Sequence, residues 1–342
     1  MTHLMNKAGW AVAAALGLLV VAALSGVIDA GPLDPPGAPA PTQKTLQEVE
    51  PRTPVQSLPS GGTAVHVISQ PGSYYLTGNI TGVSGDNGIL IDASDVTLDL
   101  NGFALIGVPG SSHGIRVNAA QTNLTIRNGV VKAWGGSGIE ASTAANSTVE
   151  DVHVSDNLIG FGITIGAHSI VKNCTSRDNT VGISAGDDAV VQSCTASSNV
   201  NGGIATGQNS LVSDCTVEEN GGVGIGPGQG STVRGCVVRS SGGDGIGAAN
   251  NCLITGNLSR ANGVTDGAGI HVAGINNRIE ENQVIGNDRG IDVDMGSNVI
   301  VRNSATANAT EYDIAAGNVV GVIEVFTLAG GAPSDPWANI DY

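Results

Sequence analysis

Gly182-Ile183-Ser184-Ala185-Gly186-Asp187-Asp188-Ala189-Val190-Val191-Gln192-Ser193-Cys194, closed by Asn199, is followed by Gly203-Ile204, then Leu211-Val212-Ser213-Asp214-Cys215, closed by Asn220. The same phrase, Gly-Ile, a β-branched pair, Cys or Asn, then a second Asn, returns along most of the chain. Its Ile falls at 89, 115, 139, 163, 183, 204, 225, 246, 270, 291 and, with Asp in place of Gly, 314. The steps are 20 to 26 residues, and self-similarity at a nearly fixed period predicts a solenoid.

Each phrase parses into three short strands. Ile points inward and its successor outward, by the period-2 rule. A second strand ends on the β-branched pair, a third begins at Cys or Asn, and the last Asn lies in a turn. About 21 residues per coil leaves no room for a long crossover helix, and the Leu-x-x-Leu-x-Leu pattern of leucine-rich repeats is missing. The fold expected is therefore all-β, a right-handed parallel β-helix of about ten to eleven coils spaced roughly 4.8 Å apart. The 51 Gly fit an architecture that turns every few residues.

Stacking the phrases predicts three ladders. Ile lies over Ile. A second ladder runs Asn101, Asn128, Val152, Cys174, Cys194, Cys215, Cys236, Asn257, Asn282, Asn303. A turn ladder runs Asn157, Asn179, Asn199, Asn220, Ser241, Asn262, Asn287, Asn308. Asn tolerates left-handed backbone, and its amide can satisfy turn groups. Cysteines recurring on one inward ladder read as buried small apolar side chains, and in-register parallel neighbours suit bridging poorly. Free thiols are expected for these four and for Cys252.

The domains follow from composition. Residues 1–30, with Lys7, the uncharged run Ala8–Leu24 and small residues to Ala30, read as a signal peptide. Residues 31–60 hold eight of the 13 Pro and read as a linker. An N-terminal cap over 61–87, repeats over 88–314 and a C-terminal cap over 315–342 complete the chain, with Trp337 and Tyr342 expected to seal the last coil. Solenoid ends expose strand edges that need cover. The protein is expected to be exported (periplasmic, cell-surface or extracellular) and monomeric, with no membrane insertion after signal cleavage. A formal charge of −16 makes nucleic acid an improbable partner.

The repeat, together with Ile68-Ser69-Gln70-Pro71-Gly72-Ser73-Tyr74-Tyr75-Leu76 and Val96-Thr97-Leu98-Asp99-Leu100-Asn101-Gly102, resembles bacterial exported right-handed β-helix proteins of the pectate-lyase-like superfamily. The stretches Lys44–Arg52 and Pro336-Trp337-Ala338-Asn339 add to it. The resemblance implies fold and export. Relatives include polysaccharide lyases, hydrolases and epimerases, but no catalytic signature of those families falls on residues here, so the resemblance assigns no catalytic residue.

Chemistry on such a rod would use outward side chains of adjacent coils. His271, Asp292 and Asp294 form the one candidate ligand-contact cluster with acid–base composition. Asp92, Arg116 and Glu140 read as surface charge balance, and Glu218, Arg239 and Arg260 as a line able to hold an acidic sugar or to neutralise itself. No cofactor is expected, calcium at Asp187-Asp188 or Asp292/Asp294 being the alternative. Trp134 with Lys132 and His153 is the sole aromatic–basic neighbourhood. The bareness of the outward face favours a polysaccharide-binding scaffold over a polysaccharide lyase, epimerase or hydrolase acting on an acidic glycan.

Overall fold

A computed structural model describes residues 51–157, 159–263, 266–325 and 335–342. The expected signal segment and linker residues 31–50 lie outside these. The chain divides into Met1–Pro51 and Arg52–Tyr342, and only the second is described beyond Pro51. It is a parallel β-helix with a single short 3-10 turn, Val55–Ser57, among the described residues. No helix there is long and apolar enough to cross a membrane.

Two parallel sheets wind round one core. A twelve-stranded sheet runs from Ala64–Ile68 to Thr310–Ile314, and its neighbours in space are its neighbours in sequence. A 24-stranded sheet carries the second and third strand of every coil. Those two faces are joined where Thr125–Lys132 and Thr148–Ser155 pass the corner without a break. The rod has about 13 turns, more than the ten to eleven expected. The surplus has a plain origin, since residues assigned to the caps continue the pairing. Ile68 stacks on Ile91, Ser73 on Thr97, and Ser304 on Ile340.

The Ile ladder is in register from Ile89 through Ile291. Its side chains are almost wholly buried, which removes roughly 2 kcal/mol of apolar exposure per rung. The last rung corrects the sequence reading. Tyr312, two residues before Ile314, stacks on Ile291, and its hydroxyl donates to the carbonyls of Asn303 (3.1 Å) and Ile340 (2.9 Å).

The Gly before each Ile has a steric cause. A Cβ on Gly182 would lie 2.6 Å from the Gly203 carbonyl oxygen, and one on Gly203 would lie 2.6 Å from that of Gly224. The clash repeats up the rod to Gly290 against Glu311. Thr310–Ile314 is the last strand of this sheet among the described residues, and Glu311 stands there in the place of the Gly.

The Asn turn ladder is a chain of amides interrupted once, at Ser241, whose buried Oγ has no hydrogen-bond partner. Asn157 Nδ2 donates to Asn179 Oδ1 (2.8 Å), Asn199 to Asn220 (2.8 Å) and Asn287 to Asn308 (2.9 Å). Each Oδ1 also accepts the backbone N–H of the coil below, as Asn220 does from Asn199 (3.1 Å). Pairing of the amides is what lets them occupy a core. The second ladder needs two corrections, the first being Asn101, which is exposed in left-handed backbone (φ 53°) while Leu100 takes the buried place. Val152 stacks on Gly129, so Asn128 lies one position earlier, in the left-handed corner (φ 61°) shared with Asp151 and Asn173. At the far end this ladder runs on: Asn303 Nδ2 donates to Asn339 Oδ1 at 3.1 Å. A third ladder of Ser and Asn, unrecognised in the sequence, places Cys252 below Asn277, whose Oδ1 accepts the Cys252 N–H at 2.7 Å.

All five cysteines are free and buried. Cys194 and Cys215 are pushed up to about 12, foremost by hydrogen bonding between stacked thiols. Paired structure begins inside the stretch 31–60 that reads as a linker. Thr53–Pro54 pairs with Tyr74–Tyr75, Val55 is buried, and Arg52 lies on the Tyr75 ring and reaches Asp99 at 3.3 Å. At the other end Trp337 and Tyr342 stay half-exposed, Trp337 beneath the Arg302 guanidinium.

Candidate functional site

The outward face of the twelve-stranded sheet changes character along the rod. Ser184, Ala205, Gly226 and Gly247 follow one another in register and leave a bare floor. A Cβ on Gly226 would meet nothing within 4 Å. Exposed apolar side chains stand in the turns entering these strands, Phe161 and Val223 immediately before the Gly of their coils, with Val200 close by. Past Gly247 the floor meets a wall of charge.

That wall is built on two strands, Ala268–Val272 and Arg289–Val293, which pair with His271 opposite Asp292. His271 is held between two carboxylates: Nδ1 is 3.0 Å from Asp244 Oδ2, and Nε2 is 3.1 Å from Asp294 Oδ2. Asp244 belongs to the preceding coil, and its Oδ1 accepts the Ala268 N–H at 2.7 Å, which fixes the carboxylate. Arg289 places Nη1 2.9 Å from Asp292 Oδ2 and Nη2 2.7 Å from Asp266 Oδ1. Asp313 stacks on Asp292 from the last coil.

The electrostatics follow from these contacts. The Asp244 hydrogen bond, with help from Asp294, outweighs burial and pushes His271 up to about 9, so it is a cation at neutral pH. Burial raises the Asp292 carboxyl against the pull of Arg289 and His271. Burial also opposes ionisation of Asp244, but the bonds from His271 and the Ala268 N–H prevail and hold its carboxyl below the usual range. Asp244, Asp266, Asp292, Asp294 and Asp313 thus face two cations, Arg289 and His271. The recess lined by Asp244, Asp266, His271, Arg289, Asp292 and Asp294 is open and strongly polar, with Asp313 one coil beyond.

The structure brings His271, Asp292 and Asp294 together, their ligand atoms within 4.8 Å of one another. Asp244, Asp266, Arg289 and Asp313 were missed. Asp244 stands in Gly242-Gly243-Asp244-Gly245, an isolated Gly-rich fragment and not a tandem calcium-binding repeat. The legible signal was the long 24-residue step from Ile246 to Ile270, whose extra residues carry Asp266.

The other candidates separate. Glu140 accepts hydrogen bonds from Ser137 (3.1 Å) and Ser142 (2.6 Å), and Asp92 from Asn118 (3.3 Å), so neither is committed to Arg116. Glu218 pairs with Arg239, which neutralises the line shared with Arg260. Asp187 is a turn residue accepting the Gln208 N–H at 2.8 Å, and Asp188 faces His168 at 3.5 Å. Trp134 is no sugar platform. It is buried, donates from Nε1 to the Leu105 carbonyl (3.3 Å), and packs where a Cβ on Gly88 would lie 2.7 Å from its ring.

The family described as right handed beta helix region matches residues 87–232 and 213–320. Among curated proteins none matches the chain. Among solved structures the chain resembles the Dettilon tailspike protein (15% identity, TM-score 0.55, covering 75% of this chain and 59% of that one). It also resembles a mutant tailspike of E. coli bacteriophage HK620 (12% identity, TM-score 0.59, 80% and 60% covered). A second HK620 mutant, in complex with a pentasaccharide, matches at 13% identity and TM-score 0.54, with 81% and 59% covered. The chain spans about three fifths of the length of these tailspikes. At such identities the likeness is one of fold.

Proposed function

The chain belongs to the right-handed β-helix family, and from that premise we propose that it is an exported polysaccharide-binding scaffold whose glycan lies along the outward face of the twelve-stranded sheet. The observation that carries this reading is the continuity of the bare floor, Ser184 to Gly247, with the charged recess at His271. Coils about 4.8 Å apart present that floor at nearly the repeat of a sugar unit. Apolar turn residues beside it suit the apolar faces of pyranose rings. The pentasaccharide bound by an HK620 tailspike of the same fold lends support. Export rests on the signal-like residues 1–30 and on the resemblance to exported β-helix proteins.

Five carboxylates against two cations repel a uronate polymer, as does the net charge of −16. The ligand class proposed is therefore a neutral or amino-sugar glycan, and not the acidic glycan of the enzymatic alternative. Retardation of the protein in gels containing neutral, amino-sugar and uronate polysaccharides tests this. Retardation by one of the first two classes is expected, lost in Gly226→Trp, whose Cβ points into open space above the floor. Retardation by uronates alone, or none at all, would refute it.

One observation favours a second reading, in which the bound glycan is cleaved. Burial raises the Asp292 carboxyl while Asp294, half-exposed, shares its recess, and unlike environments suit an acid and a base. New reducing or unsaturated ends, abolished in Asp292→Asn, would establish it.

A further inference from the structure

We propose that the recess binds one divalent transition-metal ion of the zinc or manganese class through His271 Nε2 and the carboxylates of Asp292 and Asp294. This does not rest on the glycan reading, and its test uses no glycan.

Three features of the recess bear on it. First, ligand atoms about 2.1 Å from an ion lie roughly 3–4 Å from one another. His271 Nε2 and Asp294 Oδ2 are already 3.1 Å apart, and Asp292 is within 4.8 Å, inside the reach of a small side-chain rotation. Second, the imidazole is oriented as a metal-bound histidine is. Its Nδ1 faces a carboxylate that is itself fixed by the Ala268 N–H, so Nδ1 keeps its proton, and the ion binds by displacing the proton that Nε2 shares with Asp294, which is released to solvent. Third, the surrounding charge lacks a cation. Arg289 divides its guanidinium between Asp292 Oδ2 and Asp266, so one cation serves two carboxylates. Asp294 and Asp313 add negative charge with no arginine or lysine against them among the described ion pairs. An imidazole nitrogen in the set points away from calcium, which takes oxygen ligands.

The full chain, stripped with a chelator, is titrated with zinc chloride and manganese chloride against a chromophoric competitor. One ion per chain is expected, with affinity at least ten-fold lower in Asp294→Asn and His271→Gln and unchanged in Asp188→Asn. Should the variants fail to fold, imidazole nitrogen NMR on the wild-type chain decides. Zinc must shift His271 Nε2 while Nδ1 keeps its proton. No bound zinc or manganese, equal binding by the folded variants, an unmoved Nε2 resonance, or tighter binding of calcium than of both ions would overturn the proposal.

Discussion

His271 Nδ1 lies 3.0 Å from Oδ2 of Asp244, a residue 27 positions earlier that belongs to the coil beneath it. The contact exists because one turn of the solenoid brings distant residues to adjacent rungs, and it makes His271 a fixed cation at neutral pH. The sign of its pH dependence follows. Folding raises the His271 pKa from 6.5 to about 9, so its contribution is fully present below pH 6.5 and is lost as pH rises through 9. In metal-free protein, His271→Gln is expected to cost on the order of 2 kcal/mol near pH 6 and almost nothing above pH 9. Urea unfolding of both proteins across that range measures the difference. A gap that does not narrow with pH would contradict the assignment.

Asn199 sits mid-ladder. Its Oδ1 accepts the Asn179 N–H (3.1 Å) and its Nδ2 donates to Asn220 Oδ1 (2.8 Å). Asn199→Ala strands a buried donor and leaves a neighbouring amide short of a partner, at a cost of about 3 kcal/mol. Asn199→Ser is expected to cost no less, since Ser241, which fills the equivalent position, leaves its buried Oγ without a hydrogen-bond partner. Denaturation midpoints of the two variants test the order.

Two glycines on one strand separate steric need from mere smallness. Gly224 cannot take a Cβ, which would lie 2.6 Å from the Gly245 carbonyl, whereas two residues later Gly226 has open space. Gly224→Ala is expected to lower stability by about 2–4 kcal/mol, and Gly226→Ala to leave it within about 0.5 kcal/mol. Equal effects in thermal unfolding would mean the register is wrong.

The fold was legible because a solenoid writes each contact twice, in the period and in the residue type. Ile over Ile, Cys over Cys and Asn over Asn need only alignment. Where the period fails, so did the reading. Tyr312 replaced Ile314 at the last rung because the final step shortens to 21 residues and an aromatic there reaches the carbonyls of Asn303 and Ile340. Trp134 looked like a surface aromatic because nothing in its own sequence reveals that Gly88 and Gly114 hollow out the core for it. At the site, His271, Asp292 and Asp294 were found through the outward parity of their strands. Asp244 and Asp266 come from turns, where side-chain direction is set by backbone geometry and not by alternation. Arg289 lies at a strand's entry and turns toward both of its carboxylates.

Hydroxyl-radical footprinting, with and without an oligosaccharide from the retained polymer, tests most directly whether glycan occupies the outward face of the twelve-stranded sheet. The account predicts protection of Phe161, Val223 and His271 and unchanged labelling of Trp337 and Tyr342. Protection confined to Trp337 and the strands around it, or a pattern that does not touch His271, would contradict it.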